Sequence, residues 1–208
     1  MLFNDDSIIV GLTGMSGAGK TTACGAFREK GFSVVDCDIV AREVVLKGSP
    51  ALKELSEAFD GIINDDGTLN RRRIGDIIFS DAEKRALFNG IVYPYILYKV
   101  IADISAFISQ GKRLVLVDAP TLFESGADKI CDMIVSVVSD KERCIERIMK
   151  RDGITLKQAT ERLGSQFDKS FYTEKSDYYI DNIGTAEELS EKALDIAVRI
   201  GAVNGGKE

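Results

Sequence analysis

The chain has 208 residues, 45% of them hydrophobic and 29% charged, with a formal net charge of −6 at pH 7. That is apolar material enough for one large domain or a core carrying a smaller insert, and the acidic balance argues against general nucleic-acid binding, which draws on clustered Lys and Arg. Met1 to Asp6 has no basic stretch and does not read as a secretory signal, and no apolar run approaches the roughly 20 residues of a bilayer span, so a cytoplasmic protein is expected.

There is no histidine, so a general base must be a carboxylate, Lys, Cys, Tyr or water, a carboxylate being favoured. Cys24, Cys37, Cys131 and Cys144 show neither C-x-x-C nor metal-site spacing and read as buried small apolar residues.

The first apolar run, Ile8 to Leu12, leads into Gly14-Met15-Ser16-Gly17-Ala18-Gly19-Lys20-Thr21, which fits G-x-x-x-x-G-K-[ST]. A strand, a Gly-rich turn and Lys-Thr opening a helix form the context in which this pattern binds the phosphates of a nucleoside triphosphate. Backbone N–H groups curl around one concavity, Lys20 reaches the outer phosphates, and the Thr21 hydroxyl can ligate Mg²⁺. The helix adds its positive dipole end. That helix, Thr21 to Lys30, stops at Gly31. A short strand, Phe32 to Val35, then ends at Asp36-Cys37-Asp38, where the ligand crevice of an open α/β sheet lies. Alternation puts Asp36 and Asp38 on one side, as a candidate base or metal-organising pair or else a solvated turn.

Ile39 to Leu46 reads as a helix broken by Lys47-Gly48-Ser49-Pro50. From Ala51 to about Gln110 helical periodicity dominates, with a turn at Asn64 to Gly67, a capping-box pattern at Ser80 to Glu83, and a new helix starting at Tyr93-Pro94. This block is a plausible helical insert over an acceptor substrate. Its basic run, Arg71 to Arg73, is either a solvated face or a contact to a phosphorylated acceptor.

Leu114-Val115-Leu116-Val117-Asp118 is a strand covered on both faces and capped by an acid of the kind that supports Mg²⁺ beside a phosphate loop. Ala119 to Glu124 forms a loop or short helix over the crevice, and Met133 to Val138 is the next core strand. Ser139 to Glu142 has a capping-box pattern and opens a helix with Arg143, Arg147 and Arg151 spaced by four, on one face. Thr155 to Gln158 caps a second helix containing Arg162 and Gln166. The pair reads as a mobile lid that brings positive charge to a transferring phosphoryl group, or as exposed helices with i,i+4 pairs such as Glu142 with Glu146 and Lys150. Tyr178 to Asn182 is a last strand whose end can contact an adenine base. A helix from Ala186 to Ile200 closes the chain before a fraying tail, Gly201 to Glu208.

Taken together, Gly11-Leu12-Thr13-Gly14 with Gly-Lys-Thr, Asp36-x-Asp38 with Ala41-Arg42, Gly67-x-Leu69-x-Arg71, Asp118-x-Pro120-x-Leu122-x-Glu124, Arg147-x-x-x-Arg151-Asp152, Arg162-x-x-x-Gln166 and Ile180-Asp181-Asn182 resemble the dephospho-coenzyme A kinases, from about Ile8 to Leu194. The sequence departs from that family's usual pattern in the loop, Gly14-Met15-Ser16-Gly17-Ala18-Gly19-Lys20 in place of Gly-Gly-Ile-Gly-Ser-Gly-Lys. It also has Tyr93 where His is common, Thr121 in place of Leu, and Cys144 in place of Gln.

The resemblance implies a P-loop NTPase fold, a three-layer α/β/α arrangement around a mostly parallel sheet, with a helical acceptor-binding insert at about 51–110 and a lid at about 139–175. It implies ATP-dependent phosphorylation of the ribose 3′-hydroxyl of dephospho-CoA. Gly17, Ala18, Gly19, Lys20, Thr21 and Thr22 then hold ATP with Asn182, and Asp38 is the catalytic acid at the acceptor hydroxyl. Arg71, Pro120 and Leu122 join the acceptor side, Arg147 and Arg151 belong to the lid, and Thr21 and Asp118 take Mg²⁺. Partners are small molecules only, in a monomer or weak homo-oligomer. The rival expectations are another P-loop kinase, of nucleoside, shikimate or gluconate type, and a nucleotide-dependent switch, for which no base-selecting Asn-Lys-x-Asp is present.

Overall fold

The structure is a computed structural model that describes residue 3 and residues 6–205; most of the N-terminal stretch and the last three residues, both subjects of the expectations above, lie outside the described residues. The chain divides into two compact units, one made of the residues up to Val35 and from Ser105 onward, the other Asp36–Ile104.

The first unit is built on a five-stranded sheet in the order β2-β3-β1-β4-β5. Its strands are β1 Ile8–Gly14, β2 Ser33–Asp36, β3 Leu114–Asp118, β4 Met133–Val138 and β5 Tyr178–Asp181. The β1–β3, β1–β4 and β4–β5 pairs are parallel. With its flanking helices this is the expected α/β fold. Every residue of β1 is buried, as an unbroken apolar strand in the middle of a parallel sheet must be. Register sets Leu12 opposite Asp118 and Gly14 opposite Val137, so the acid at the end of β3 stands beside the start of the loop that leaves β1.

Helices α1 Lys20–Glu29 and α9 Ala186–Gly205 belong to this unit, as do α6 Lys141–Asp152, α7 Leu156–Gly164 and α8 Lys169–Lys175. Phe27, Leu12, Val137, Ile148, Tyr172 and Ile200 share one core. The Thr155–Gln158 capping box is present. The expected box at Ser139–Glu142 is not: the Ser139 hydroxyl donates to the Asn182 carbonyl at 2.6 Å, and Asp140 takes the N-cap position without a side-chain bond. A long-range partner has outcompeted the local one. The last helix continues to Gly205, past the expected end at Ile200. Helix α8 and a 3₁₀ turn at Ala127–Ile130 were not anticipated.

The second unit holds α2 Cys37–Glu43, α3 Pro50–Ala58, α4 Arg71–Ser80 and most of α5 Ala82–Ser109, around a smaller core of Leu52, Leu55, Ile62, Ile74 and Val92. Ser49 caps α3 with Pro50 in the first turn, and Asn70 caps α4. Two boundaries differ from expectation. Ser80 bonds back to the Asp76 and Ile77 carbonyls, and it is Asp81 whose carboxylate accepts from Glu83 and Lys84 N–H to start α5. Pro94 starts no helix, since it lies inside α5. A proline there withholds one N–H and crowds the carbonyl four residues back. That residue is Gly90, whose surroundings are open, so the backbone has room to yield.

By length and composition α5 is long and apolar enough to cross a membrane, contrary to the expectation that no run approaches a span. The polar interruption that hid it from a search for continuous runs, Lys99 with Asp103, is an internal ion pair that also reaches Glu43 at 3.6 Å.

Candidate active site

The loop between β1 and α1 carries conformations that select its residues. Gly14 has φ 143° against β4, where a Cβ would collide with the Val137 carbonyl, and Gly19 caps α1 at φ 106° with a hypothetical Cβ 2.6 Å from Leu189. Ala18 N–H closes the turn onto the Met15 carbonyl at 3.0 Å. Among the described residues the N–H groups of Gly17, Gly19, Lys20 and Thr21 have no hydrogen-bond partner. Unpaired donors at a helix start, with the dipole behind them, are what a phosphate chain requires.

Three side chains from distant parts of the chain hold the loop. Ser16 N–H donates to Gln166 Oε1 at 2.9 Å, Arg147 donates to the Gly17 carbonyl at 3.3 Å, and Asn182 Nδ2 donates to the Ala18 carbonyl at 2.7 Å. The Lys20 ammonium pairs with the Asp118 carboxylate, which is 9% exposed at the end of β3. Cys24, one helical turn beyond Lys20, is buried near that carboxylate. Burial first, then the neighbouring Asp118 charge, pushes its thiol up to about 11.

The arginines divide. Arg147 reaches the loop. Arg143 turns away to Asp140 at 3.8 Å. Arg151 is held by its neighbour Asp152 through two bonds of 2.7 and 2.8 Å, and the same carboxylate takes Arg162 at 2.8 Å. These bonds, chiefly the one from Arg151, hold the Asp152 carboxyl below the usual range. Arg143, Arg147 and Arg151 thus share a helix face but not a target, and the pairings suggested around Glu142, Glu146 and Lys150 are absent among the described residues.

The structure therefore brings Gly17, Ala18, Gly19, Lys20, Thr21, Asp118, Arg147 and Asn182 together; Thr22 lies in the first turn of α1, its N–H bonded to the Gly19 carbonyl at 3.0 Å. Pro120 supplies its carbonyl to the Thr13 hydroxyl at 3.4 Å. Leu122, placed on the acceptor side by resemblance, is fully buried, and a Cβ on Gly11 would sit 2.7 Å from its methyl, so it supports β1 from below. Asp38 and Arg71 lie in the second unit. Both are exposed, Asp38 in the first turn of α2 and Arg71 at the start of α4. The alternation that put Asp36 and Asp38 side by side assumed extended backbone. The chain is helical from Cys37, and Asp36 is its cap, accepting from Asp38 and Ile39 N–H at 2.9 and 3.1 Å. Ser139 and Asp152 carry roles that no local pattern announced.

The dephospho-CoA kinase family model matches residues 8–188. A dephospho-CoA kinase from Oryza sativa subsp. japonica is 36% identical over 189 residues, 90% of this chain and 82% of that one. One from Listeria innocua is 36% identical over 191 residues, 91% of this chain and 96% of that one. A crystal structure from Thermus thermophilus has a TM-score of 0.78 at 27% identity, covering 93% of this chain and 97% of its own. The dephospho-CoA kinase of Campylobacter jejuni, with a TM-score of 0.70 at 23% identity over 94% of this chain and 98% of that one, has the same fold. A match that runs through both units, with relatives aligned over more than four-fifths of their length, leaves one assignment: the chain belongs to the dephospho-CoA kinase family.

Proposed function

We propose that the loop from Gly14 to Thr22 binds the ATP of this family's reaction, phosphorylation of the ribose 3′-hydroxyl of dephospho-CoA, and that Asp38 meets that hydroxyl. The observation that carries the reading is the set of four N–H groups, those of Gly17, Gly19, Lys20 and Thr21, that have no partner among the described residues. Phosphoryl transfer asks the protein to align two oxygens about phosphorus and to neutralise charge on the equatorial oxygens. In this reading Lys20 exchanges Asp118 for phosphate oxygens, and Arg147 and Arg151 add positive charge. Asp38 orients the acceptor hydroxyl and takes its proton late in the transfer.

Asn182 is 5% exposed, and its Oδ1 is a buried acceptor without a donor among the described residues. An exocyclic amino group such as that of adenine would supply one. Arg71 serves a phosphate of the acceptor, and Pro120 is a second residue of the acceptor side. The Thr21 hydroxyl, exposed and unpartnered among the described residues, and the Asp118 carboxylate are hard oxygen donors that fit Mg²⁺. When bound, the ion would neutralise charge on the phosphate oxygens. The arginine-bearing helices, 139–175, act as the lid and 51–110 as the acceptor-binding insert. The protein works in the cytoplasm as a monomer or weak homo-oligomer, without nucleic-acid or membrane partners, in keeping with a net charge of −6.

An acceptor panel with ATP and Mg²⁺ tests the reading. Dephospho-CoA should be phosphorylated on its 3′-hydroxyl; transfer to shikimate, gluconate or a nucleoside without transfer to dephospho-CoA would overturn it.

A further inference from the structure

We infer that Gln166 is a positioning residue that couples the seating of α7, with its Arg162, to the phosphate-binding loop. Three bonds make a closed circuit. Arg147 on α6 holds the Gly17 carbonyl, Asp152 at the end of α6 takes Arg162 of α7, and Gln166, just beyond α7, returns to the loop by accepting from Ser16 N–H. Arg151 stiffens the junction by binding both oxygens of Asp152. Ser16 and Gly17 are adjacent, so a change in the backbone there on binding triphosphate acts on both arms of the circuit, and α7 cannot shift without pulling on Ser16. Coupling of this kind is reciprocal between nucleotide and helix.

The chemistry of the side chain fits the task. The Ser16 N–H needs an acceptor, and an amide oxygen supplies one without bringing a full negative charge to a triphosphate, as a carboxylate would. Gln166 is half-buried, at a fixed place set by the capped α7. The inference rests on the loop being the ATP site.

The test uses the intact enzyme with Gln166→Met, which keeps the volume and removes the acceptor, Arg162→Met, the double variant, and Arg147→Met as a reference. Gln166→Met should raise the KM for ATP about tenfold, the scale of one lost hydrogen bond, with the KM for dephospho-CoA and the melting temperature of the nucleotide-free protein unchanged. Members of one coupled unit are non-additive, so the double variant should lose no more kcat/KM for ATP than the worse single one. Multiplicative losses, or a normal KM for ATP in Gln166→Met beside a defective Arg147→Met, overturn the coupling while leaving the ATP site standing. Normal ATP kinetics in all the variants overturn the ATP-site reading itself. Amide exchange at Ser16 without nucleotide gives an arm independent of turnover. It should be faster in Gln166→Met and as slow as wild type in Gln166→Glu, which keeps an acceptor oxygen; equal rates in all three overturn the inference.

Discussion

The Asp36 carboxylate is engaged by two N–H groups of α2, which leaves Asp38, exposed in the first turn of the same helix, as the acid of the proposed reading. Asp38→Asn should keep ATP affinity while turnover drops at least about a hundredfold, the lower end for a general base; steady-state kinetics beside a nucleotide-binding titration decide it, and near-normal turnover rejects the assignment. The buried thiols give a second prediction at this scale. Desolvation holds Cys24 and Cys144 up at about 11, so at pH 8 only about one thiol in a thousand is ionised. A raised thiol gains thiolate only as pH climbs through that value, so alkylation of both in the folded protein should be negligible at pH 8 and rise steeply towards pH 11, as peptide mass mapping will show. Tyr172 carries a different signature: its ring is fully buried and its hydroxyl has no partner among the described residues. Removing an unsatisfied buried hydroxyl while keeping the ring should not destabilise, so Tyr172→Phe is expected to gain about 1 kcal/mol in denaturant unfolding.

Among the elements, α5 tolerates a proline at its middle, and the apolar positions on either side, Val92 and Val100, are buried and hold the helix together across it. The missing hydrogen bond is still a cost of up to about 3 kcal/mol, reduced by the entropy that proline removes from the unfolded chain. Pro94→Ala should therefore stabilise by about 1–2 kcal/mol, measured by chemical denaturation. In α4 three exposed arginines open the helix at the end where the dipole is positive, an arrangement that opposes stability. The Asn70 cap, accepting from Arg73 N–H at 2.9 Å, offsets part of it. Losing that cap costs about 1 kcal/mol, and the same experiment on Asn70→Ala will read it.

At the scale of the whole molecule, the two units have separate cores, and that of the second is the smaller. Buried apolar area sets how hard each is to open. Native-state hydrogen exchange should find amides around Leu55 and Ile74 opening at lower denaturant than those of Val10 and Val117. In the proposed reading Mg²⁺ serves the phosphates and not the fold, because the helix that carries Thr21 and the strand that ends at Asp118 are held by the chain's own hydrogen bonds and packing. Chelation should abolish phosphoryl transfer, leave the melting curve unchanged, and be reversed by Mg²⁺.

Local chemistry was enough for part of this protein. The G-x-x-x-x-G-K-T stretch, the apolar β1, β3 and β4, the acid ending β3 and the Thr155–Gln158 cap are all determined by residues near one another in the chain. Period, propensity and capping act over a few positions, so a single sequence displays them. Only the tertiary structure decided what held the loop. Gln166, Arg147 and Asn182 reach Ser16, Gly17 and Ala18 from more than a hundred residues away. It likewise decided that Asp152 gathers Arg151 and Arg162, that Leu122 packs beneath Gly11, and that Ser139 serves Asn182 instead of a capping box. In each case the partner is set by how strands and helices stack, and a side chain with two possible partners takes the one that packing brings within reach and shields from water.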